Sequence, residues 1–347
     1  MLAHPSQVPV RRSLPRVFAF FRSAAVLVVA ALTPALGAEP ARDTAVLPVD
    51  AARGEFTVVL LPDTQRYAKH HPAMFLSQTR WIRENVAALA IRFVIHLGDI
   101  VDDNTDAEWR VADEAMGLLD GVVPYTVLPG NHDFEKSEDG QRRVKLAPKY
   151  NAVFPPRRFR HQPGYGGHRG VTNENNYSFF SAGGRNFLVL ALEFGPSDEV
   201  LEWAAGIVRQ HADKQVLLAT HAYMYDDDTR LGPGDDYSPH KSDLKYNDGE
   251  QIWEKFVRRH SNICIVVSGH VKGEGVGRLS SRGDHGNVVH QMLSDYQHLP
   301  SGGDGWLRLL KFVPAGKKLV VRTYSPWLQK FHDHPRQSFE LELNQNF

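Results

Sequence analysis

Cysteine is almost missing from this chain. Cys264 stands alone among 347 residues, which excludes an internal disulfide. It lies in the apolar run 263–267, where a small buried hydrophobe is the expected role. An excess of one charge is missing too. Lys plus Arg and Asp plus Glu each number 40, so nothing global points to nucleic acid or an anionic membrane surface. The apolar stretch 24–36 is too short to span a bilayer comfortably. The acids Asp226–Asp228 and Asp235-Asp236 lack the spacing of an EF-hand loop, which leaves a solvated lid as the expectation. Gly273, Gly275 and Gly277 lack the dinucleotide-binding spacing and read as a flexible turn. Histidine, by contrast, is plentiful, at 17 residues.

The N-terminus reads as an address. Arg11, Arg12, Arg16 and Arg22 precede the apolar stretch, and Ala35-Leu36-Gly37-Ala38 offers small residues for cleavage. Residues 1–38 are therefore expected to be a secretory signal. The mature protein would be exported, to the periplasm or the cell exterior, with no stable membrane span once the leader is removed. Arg11-Arg12-Ser13-Leu14 suits twin-arginine export. An uncleaved anchor is the alternative. Residues 39–54 read as a linker and 55–347 as a single domain.

From Glu55 onward strands and helices alternate. The stretches 56–61, 92–97 and 125–128 read as strands, with helices over 74–89 and 107–119 between them. This pattern predicts βαβ units and a parallel sheet. A long insertion, 134–175, is expected to be partly helical around 143–152. A hairpin turning at Ala182-Gly183-Gly184, a helix over 198–210 and strands over 215–220 and 262–268 follow, and residues 276–343 read as antiparallel strands.

Each of the early strands ends in a polar cluster, and the carboxyl ends of parallel strands are where open α/β sheets hold ligands. HLGDIVDD, residues 96–103, crowds Asp99, Asp102 and Asp103 after an apolar strand. Such crowding is costly unless a cation sits among the acids, although a solvated turn is also compatible with the fragment. Together the strand ends supply Asp63, Gln65, Asp99, Asn131, His221 and His270. This mixed oxygen and nitrogen set suits a divalent Mn, Fe or Zn ion better than Ca.

Asp63-x-Gln65, Gly98-Asp99-x-x-Asp102, Gly130-Asn131-His132-Asp133, Thr220-His221 and Gly269-His270 resemble, in order, the motifs of calcineurin-like metallophosphoesterases. The resemblance covers about residues 55–272. It implies a four-layer α/β/β/α sandwich of two mixed sheets with a two-metal hydrolytic centre. Asp99 would bridge the metals, Asn131, His221 and His270 would complete one site, and Asp63 would anchor the other. Such a centre neutralises a phosphate and supplies an attacking hydroxide. His132 is similar to the family's catalytic histidine, which protonates the departing alkoxide or steadies the transition state, and Asp102 to the carboxylate that orients it.

Two positions depart from the family pattern, and both belong to the Asp63 site. Gln65 stands where histidine is usual, and Lys272 takes the place of the last histidine. An amide oxygen is a weak ligand, and an ammonium cannot ligate at all. One firm metal is therefore expected, with the Asp63 site weak or empty and Lys272 pairing with Asp63 or the substrate phosphate. Arg66 and Tyr67, just past the first motif, are candidates to touch the substrate. His96 is expected to be a hydrogen-bonded core residue, and Asp133 either a brace of its turn or a catalytic group.

These readings converge on an exported metal-dependent phosphoesterase acting on a phosphorylated small molecule, monoester or diester, with no nucleic-acid partner indicated. The alternatives are a catalytically reduced metal- or phosphoryl-binding module of the same fold, and an enzyme cutting a nucleotide anhydride.

Overall fold

The computed structural model describes residues 47–140, 143–241 and 246–343. The expected leader, 1–38, lies outside the described residues. Residues 47–54, expected as linker, are built into the domain: Leu47 is buried, and Asp50 caps a single turn over Ala51–Arg53.

The chain lays three strands into a first sheet, β1 (Phe56–Leu61), β2 (Ile91–His96) and β3 (Tyr125–Thr126). It crosses to a second sheet for seven: β4 (Tyr165–His168), β5 (Asn176–Ala182), β6 (Arg185–Leu192), β7 (Gln215–Thr220), β8 (Ile263–Ser268), β9 (Val276–Arg282) and β10 (Val288–Ser294). It then returns to the first for β11 (Leu307–Val313), β12 (Lys318–Ser325), β13 (Lys330–Phe331) and β14 (Ser338–Glu342). The orders are β13-β12-β11-β1-β2-β3, with β14 also on β12, and β4-β5-β6-β7-β8-β10-β9. Both sheets are mixed. β1, β2 and β3 run parallel with β11 antiparallel on β1, and β6, β7, β8 and β10 run parallel between antiparallel edges.

Strand alternation sorts the side chains into three apolar layers. Val58, Leu60, Phe93 and Ile95 face Val189, Leu217, Ile265 and Met292 across the sheet–sheet interface. On the outer side of the first sheet, Val59, Leu61 and Val94 share a core with Phe75, Ile82 and Met116 of the helices Pro72–Asn85 and Asp106–Gly117. On the outer side of the second, Leu190, Leu218 and Val266 share one with Val200, Ala204 and Trp253 of the helices Asp198–Gln210 and Gly249–Lys255. The result is the expected four-layer α/β/β/α sandwich. Burial on both faces explains why β1 and β8 are apolar at nearly every position.

The differences from the sequence pattern are local. β3 stops at Thr126 because side chains take over the next backbone group: the Val127 carbonyl accepts from Tyr150 Oη and Asn176 Nδ2. The expected helix around 143–152 is confined to Pro148–Val153, opened by a proline at its first turn. β10 is not simply one of a set of antiparallel strands. It pairs antiparallel with β9 on one edge and parallel with β8 on the other. Its carboxyl end therefore reaches the same rim as those of β7 and β8.

Candidate metal centre

Asp99 sits on the loop after β2 and His270 just after β8, both at positive φ, 47° and 78°. Such backbone is costly for residues with a Cβ and persists where the surroundings over-determine it. The motif glycines show what does so. A Cβ on Gly130 would lie 2.2 Å from Asp99 Oδ1, and one on Gly269 would lie 2.0 Å from Asp63 Oδ1. Glycine is required at both places because backbone and carboxylate are packed together.

The His221 side of the rim is organised for a cation. His221 Nδ1 bonds the Leu97 carbonyl at 2.8 Å, and His270 Nε2 bonds the Tyr237 carbonyl at 2.8 Å. Each carbonyl takes the ring N–H, so the lone pairs belong to His221 Nε2 and His270 Nδ1. His221 Nε2 lies 3.3 Å from Asp99 Oδ1, and ligand atoms of Asp99, His221 and His270 all fall within 4.8 Å of one another. Asn131 Oδ1 is buried without a hydrogen-bond partner, as is His221 Nε2. Two imidazoles, a carboxylate and an orphan amide oxygen fit a divalent transition ion.

The electrostatics agree. Burial raises the Asp99 carboxyl, but the neighbouring His221 and His132 outweigh it and hold the group below the usual carboxylate range. Burial works against a charged His221, yet Asp99 lifts its pKa above the ordinary value. His270 is pushed down to about 3, by burial and then by His221, and stays a neutral donor.

The Asp63 side is different. Asp63 accepts the His270 N–H at 3.1 Å and Gln297 Nε2 at 3.2 Å. The same Gln297 nitrogen lies 2.8 Å from Asp295 Oδ2, and the Gln297 N–H caps Asp295 Oδ1 at 2.9 Å. Burial, then Asp295, then Asp99 push the Asp63 carboxyl well above its usual range. Asp295 is raised to about 6, first by burial. Gln65 Oε1 is buried with no donor. The expected Lys272–Asp63 pair does not form among the described residues. The Lys272 ammonium instead stands 5.5 Å from the centre of the Tyr237 ring.

His132 stands beside Asp99. Its N–H donates to Asp99 Oδ1 at 2.8 Å, and its Nδ1 bonds the Asp102 backbone carbonyl at 2.7 Å. The Asp102 carboxylate also faces this ring, but at longer range: its Oδ1 stands 3.5 Å from Nδ1, while its Oδ2 is taken by Lys69 at 2.6 Å and Arg66 at 3.1 Å. Arg143, which the motifs did not single out, donates to the carbonyls of Asp102, His132 and Phe134 and fixes this loop.

Tyr67 is also corrected. It is wholly buried, and its hydroxyl accepts the Gly305 N–H at 3.0 Å, so it braces the core rather than the substrate. Arg66 stays at the rim, tied to Asp102. Asp133 is a brace: it accepts the N–H groups of Ile100, Val101 and Gly130, and burial and then Asp99 raise it to about 7. His96 is the expected core histidine, bonded to Thr64 Oγ1 at 2.9 Å. Cys264 is buried as expected.

Asp295, Gln297, Lys69 and Arg143 escaped sequence reading. For Asp295 a signal existed: it directly follows an apolar strand, the position held by Asp63, His221 and His270.

A cavity of about 470 Å³ opens beside Asn131 and His270, walled by Phe194, Tyr237 and Tyr246 with Lys145 and Arg143. A larger one, about 590 Å³, lies at the opposite end of β8, beside Asn262, and holds none of the strand-end ligands.

A two-sheet sandwich with Asp, Asn and His gathered at the carboxyl ends of its parallel strands defines the metallophosphoesterase class. The chain belongs to the calcineurin-like phosphoesterase family, whose model matches residues 56–273. It is 35% identical over 287 residues to an uncharacterized protein, YvnB, of Bacillus subtilis, a match spanning 81% of this chain and 21% of that one. A 40-residue stretch is 50% identical to a probable glycerophosphodiester phosphodiesterase, GpdQ, of Arcobacter nitrofigilis, covering 12% of this chain and 14% of the relative. The matches thus span about a fifth or less of the length of these relatives. Among solved structures, the fold is similar to a purple acid phosphatase from yellow lupin seeds, with TM-score 0.53, 13% identity, and 84% and 54% of the two chains covered. It is also similar to a dimetal phosphatase from Danio rerio, with TM-score 0.52, 14% identity, and 83% and 99% covered.

Proposed function

We propose that this protein is an exported metal-dependent hydrolase of phosphate mono- or diesters. One observation carries the reading. His221 and His270 each spend one ring nitrogen on a backbone carbonyl and turn the other toward the buried Asp99. Both rings are thereby fixed in the tautomer and orientation that a metal ligand requires.

Asp99, Asn131, His221 and His270 would hold the divalent ion. When bound, the ion supplies Lewis acidity toward a phosphoryl oxygen and lowers the pKa of a coordinated water. The protein's own contribution begins with His132. Its ring donates through Nδ1 to the Asp102 carbonyl, which leaves Nε2 facing no partner among the described residues; in the imidazolium form, Nε2–H can pass its proton to the leaving alkoxide, and the ring is then neutral. Arg143 and the Asp102 carbonyl hold the ring in place. The neighbouring cavity, with aromatic walls and cationic residues, suits an alcohol that carries an apolar or flat group. Export rests on the arginines and apolar stretch of residues 1–38.

The test is a panel of para-nitrophenyl phosphate, its bis ester, a glycerophosphodiester and a nucleoside triphosphate, each with added Mn, Zn or Mg. Metal-dependent turnover of an ester, abolished by His132→Ala, is expected. Tight metal binding without turnover of any substrate would instead favour the binding module. Turnover of the triphosphate alone would favour anhydride cleavage.

A further inference from the structure

A run of rings leads from His270 into the cavity that it shares with Asn131. The Phe194 ring stands 5.2 Å from that of His270 and 6.4 Å from that of Tyr246, edge-on to both. Tyr237 meets His270 at 6.1 Å and 87°, and 43% of its surface is exposed. Each of these tyrosines carries a lysine over its ring. Lys145 lies 4.0 Å from the centre of Tyr246, and Lys272 lies 5.5 Å from that of Tyr237. Such cation–ring pairs hold aromatic walls in place before anything binds. The cations that line the cavity are already engaged. The three N–H groups of Lys145 meet the Gly195 carbonyl at 2.6 Å, Glu193 Oε1 at 3.1 Å and the Tyr246 ring. Arg143 is turned to backbone carbonyls, and Lys241 pairs with Asp236 at 3.1 Å. The space thus presents aromatic surface without an unpartnered cation among the described residues.

We propose that this cavity is the subsite for the alcohol of the ester, and that it selects an alcohol carrying a flat, uncharged aromatic ring. Tyr237, Phe194 and Tyr246 are its specificity-determining residues. The proposal rests on the reading of the rim as a phosphoesterase centre and adds the substrate class. Asn131 and His270 belong both to the candidate metal centre and to the cavity wall, so a group attached to the phosphoryl reaches the rings without leaving the site. Selection follows from what other alcohols would lose. One bearing a second phosphate would give up water and find no free cation in return. An aliphatic alcohol such as glycerol has no ring face to lay against the walls. Two kinds of alcohol share the required ring, an aryl alcohol and a nucleoside.

The test compares kcat/KM of the full chain for benzyl phosphate, adenosine 5′-phosphate, glycerol 3-phosphate and glycerol 1,3-bisphosphate, or for their methyl diesters, with Mn²⁺ added. At least one ring ester is expected to exceed both glycerol esters by about tenfold or more. The better of the two ring esters tells aryl alcohol from nucleoside. Tyr237→Asn suits the left-handed backbone at φ 69° and is expected to cut that preference about tenfold, through KM of the ring ester. Tyr246→Leu is expected to act in the same direction and gives the answer should Tyr237→Asn fail to fold. Glycerol esters used as well as both ring esters, or a preference unchanged in both variants, would overturn the subsite while leaving the hydrolase reading intact. Equilibrium binding of adenosine and benzyl alcohol to the metal-free chain, followed by intrinsic fluorescence, is the second readout. Binding that Tyr237→Asn weakens, in a chain that turns over no ester, would uphold the subsite although the hydrolase reading had failed.

Discussion

The two halves of the rim solve one problem with different materials. On the His221 side, imidazoles are tuned by backbone carbonyls, and the buried negative charge of Asp99 is met by a histidine 3.3 Å away. On the Asp63 side two carboxylates share an amide. In the first half Asp99, His221 and His270 are each fixed by a second bond. The second holds charge that no cationic side chain among the described residues neutralises.

The largest expected effect breaks the stronger half. His221→Ala removes a ligand whose ion contributes several kcal/mol of transition-state stabilisation, so kcat on the best substrate of the panel is expected to fall about a thousandfold or more, with loss of the nitrogen-coupled ion. His132→Ala is expected to cost about 10²- to 10⁴-fold in kcat while leaving metal content unchanged, which separates proton donation from metal binding. Asp102→Asn sharpens the comparison further. The Asp102 carbonyl, rather than its carboxylate, holds His132, so a loss of only about fivefold is expected, the worth of one hydrogen bond. A loss as large as that of His132→Ala would show that the carboxylate orients the ring after all.

The smallest effect lies behind the rim. Burial drives His96 down to about 3, so the folded state excludes a proton that the unfolded chain binds near 6.5. Stability is therefore present above pH 6.5 and lost as pH falls toward 3. Between pH 6.5 and 5 this one group costs about 1.5 kcal/mol. Urea unfolding at the two pH values is expected to show a smaller loss in His96→Gln, which removes the titration. An equal loss would contradict the assignment.

Much of the rim is legible in the amino-acid sequence. Asp63, Asp99, Asn131, His221 and His270 stand out because apolar runs mark the strands and ordered motifs mark their ends. The misses have physical causes. Tyr67 follows Arg66 by one position, but a helix turns about 100° per residue, and that rotation carries one to the rim and the other into the core. Lys272 has the aromatic ring of Tyr237 beside it, a long-range neighbour that sequence spacing does not reveal. Asp102 holds His132 through its carbonyl, and sequence spacing cannot separate a side chain from its own carbonyl. Asp295 is hidden because the pattern of 276–343 reads as antiparallel throughout. One parallel pairing, β10 on β8, is enough to bring it to the rim.

The most direct test is an anomalous difference map from crystals of the full chain grown with Zn²⁺. The expected result is a peak about 2.0–2.2 Å from Asp99, Asn131 Oδ1, His221 Nε2 and His270 Nδ1. A map with no peak within reach of those four residues would contradict the metal centre.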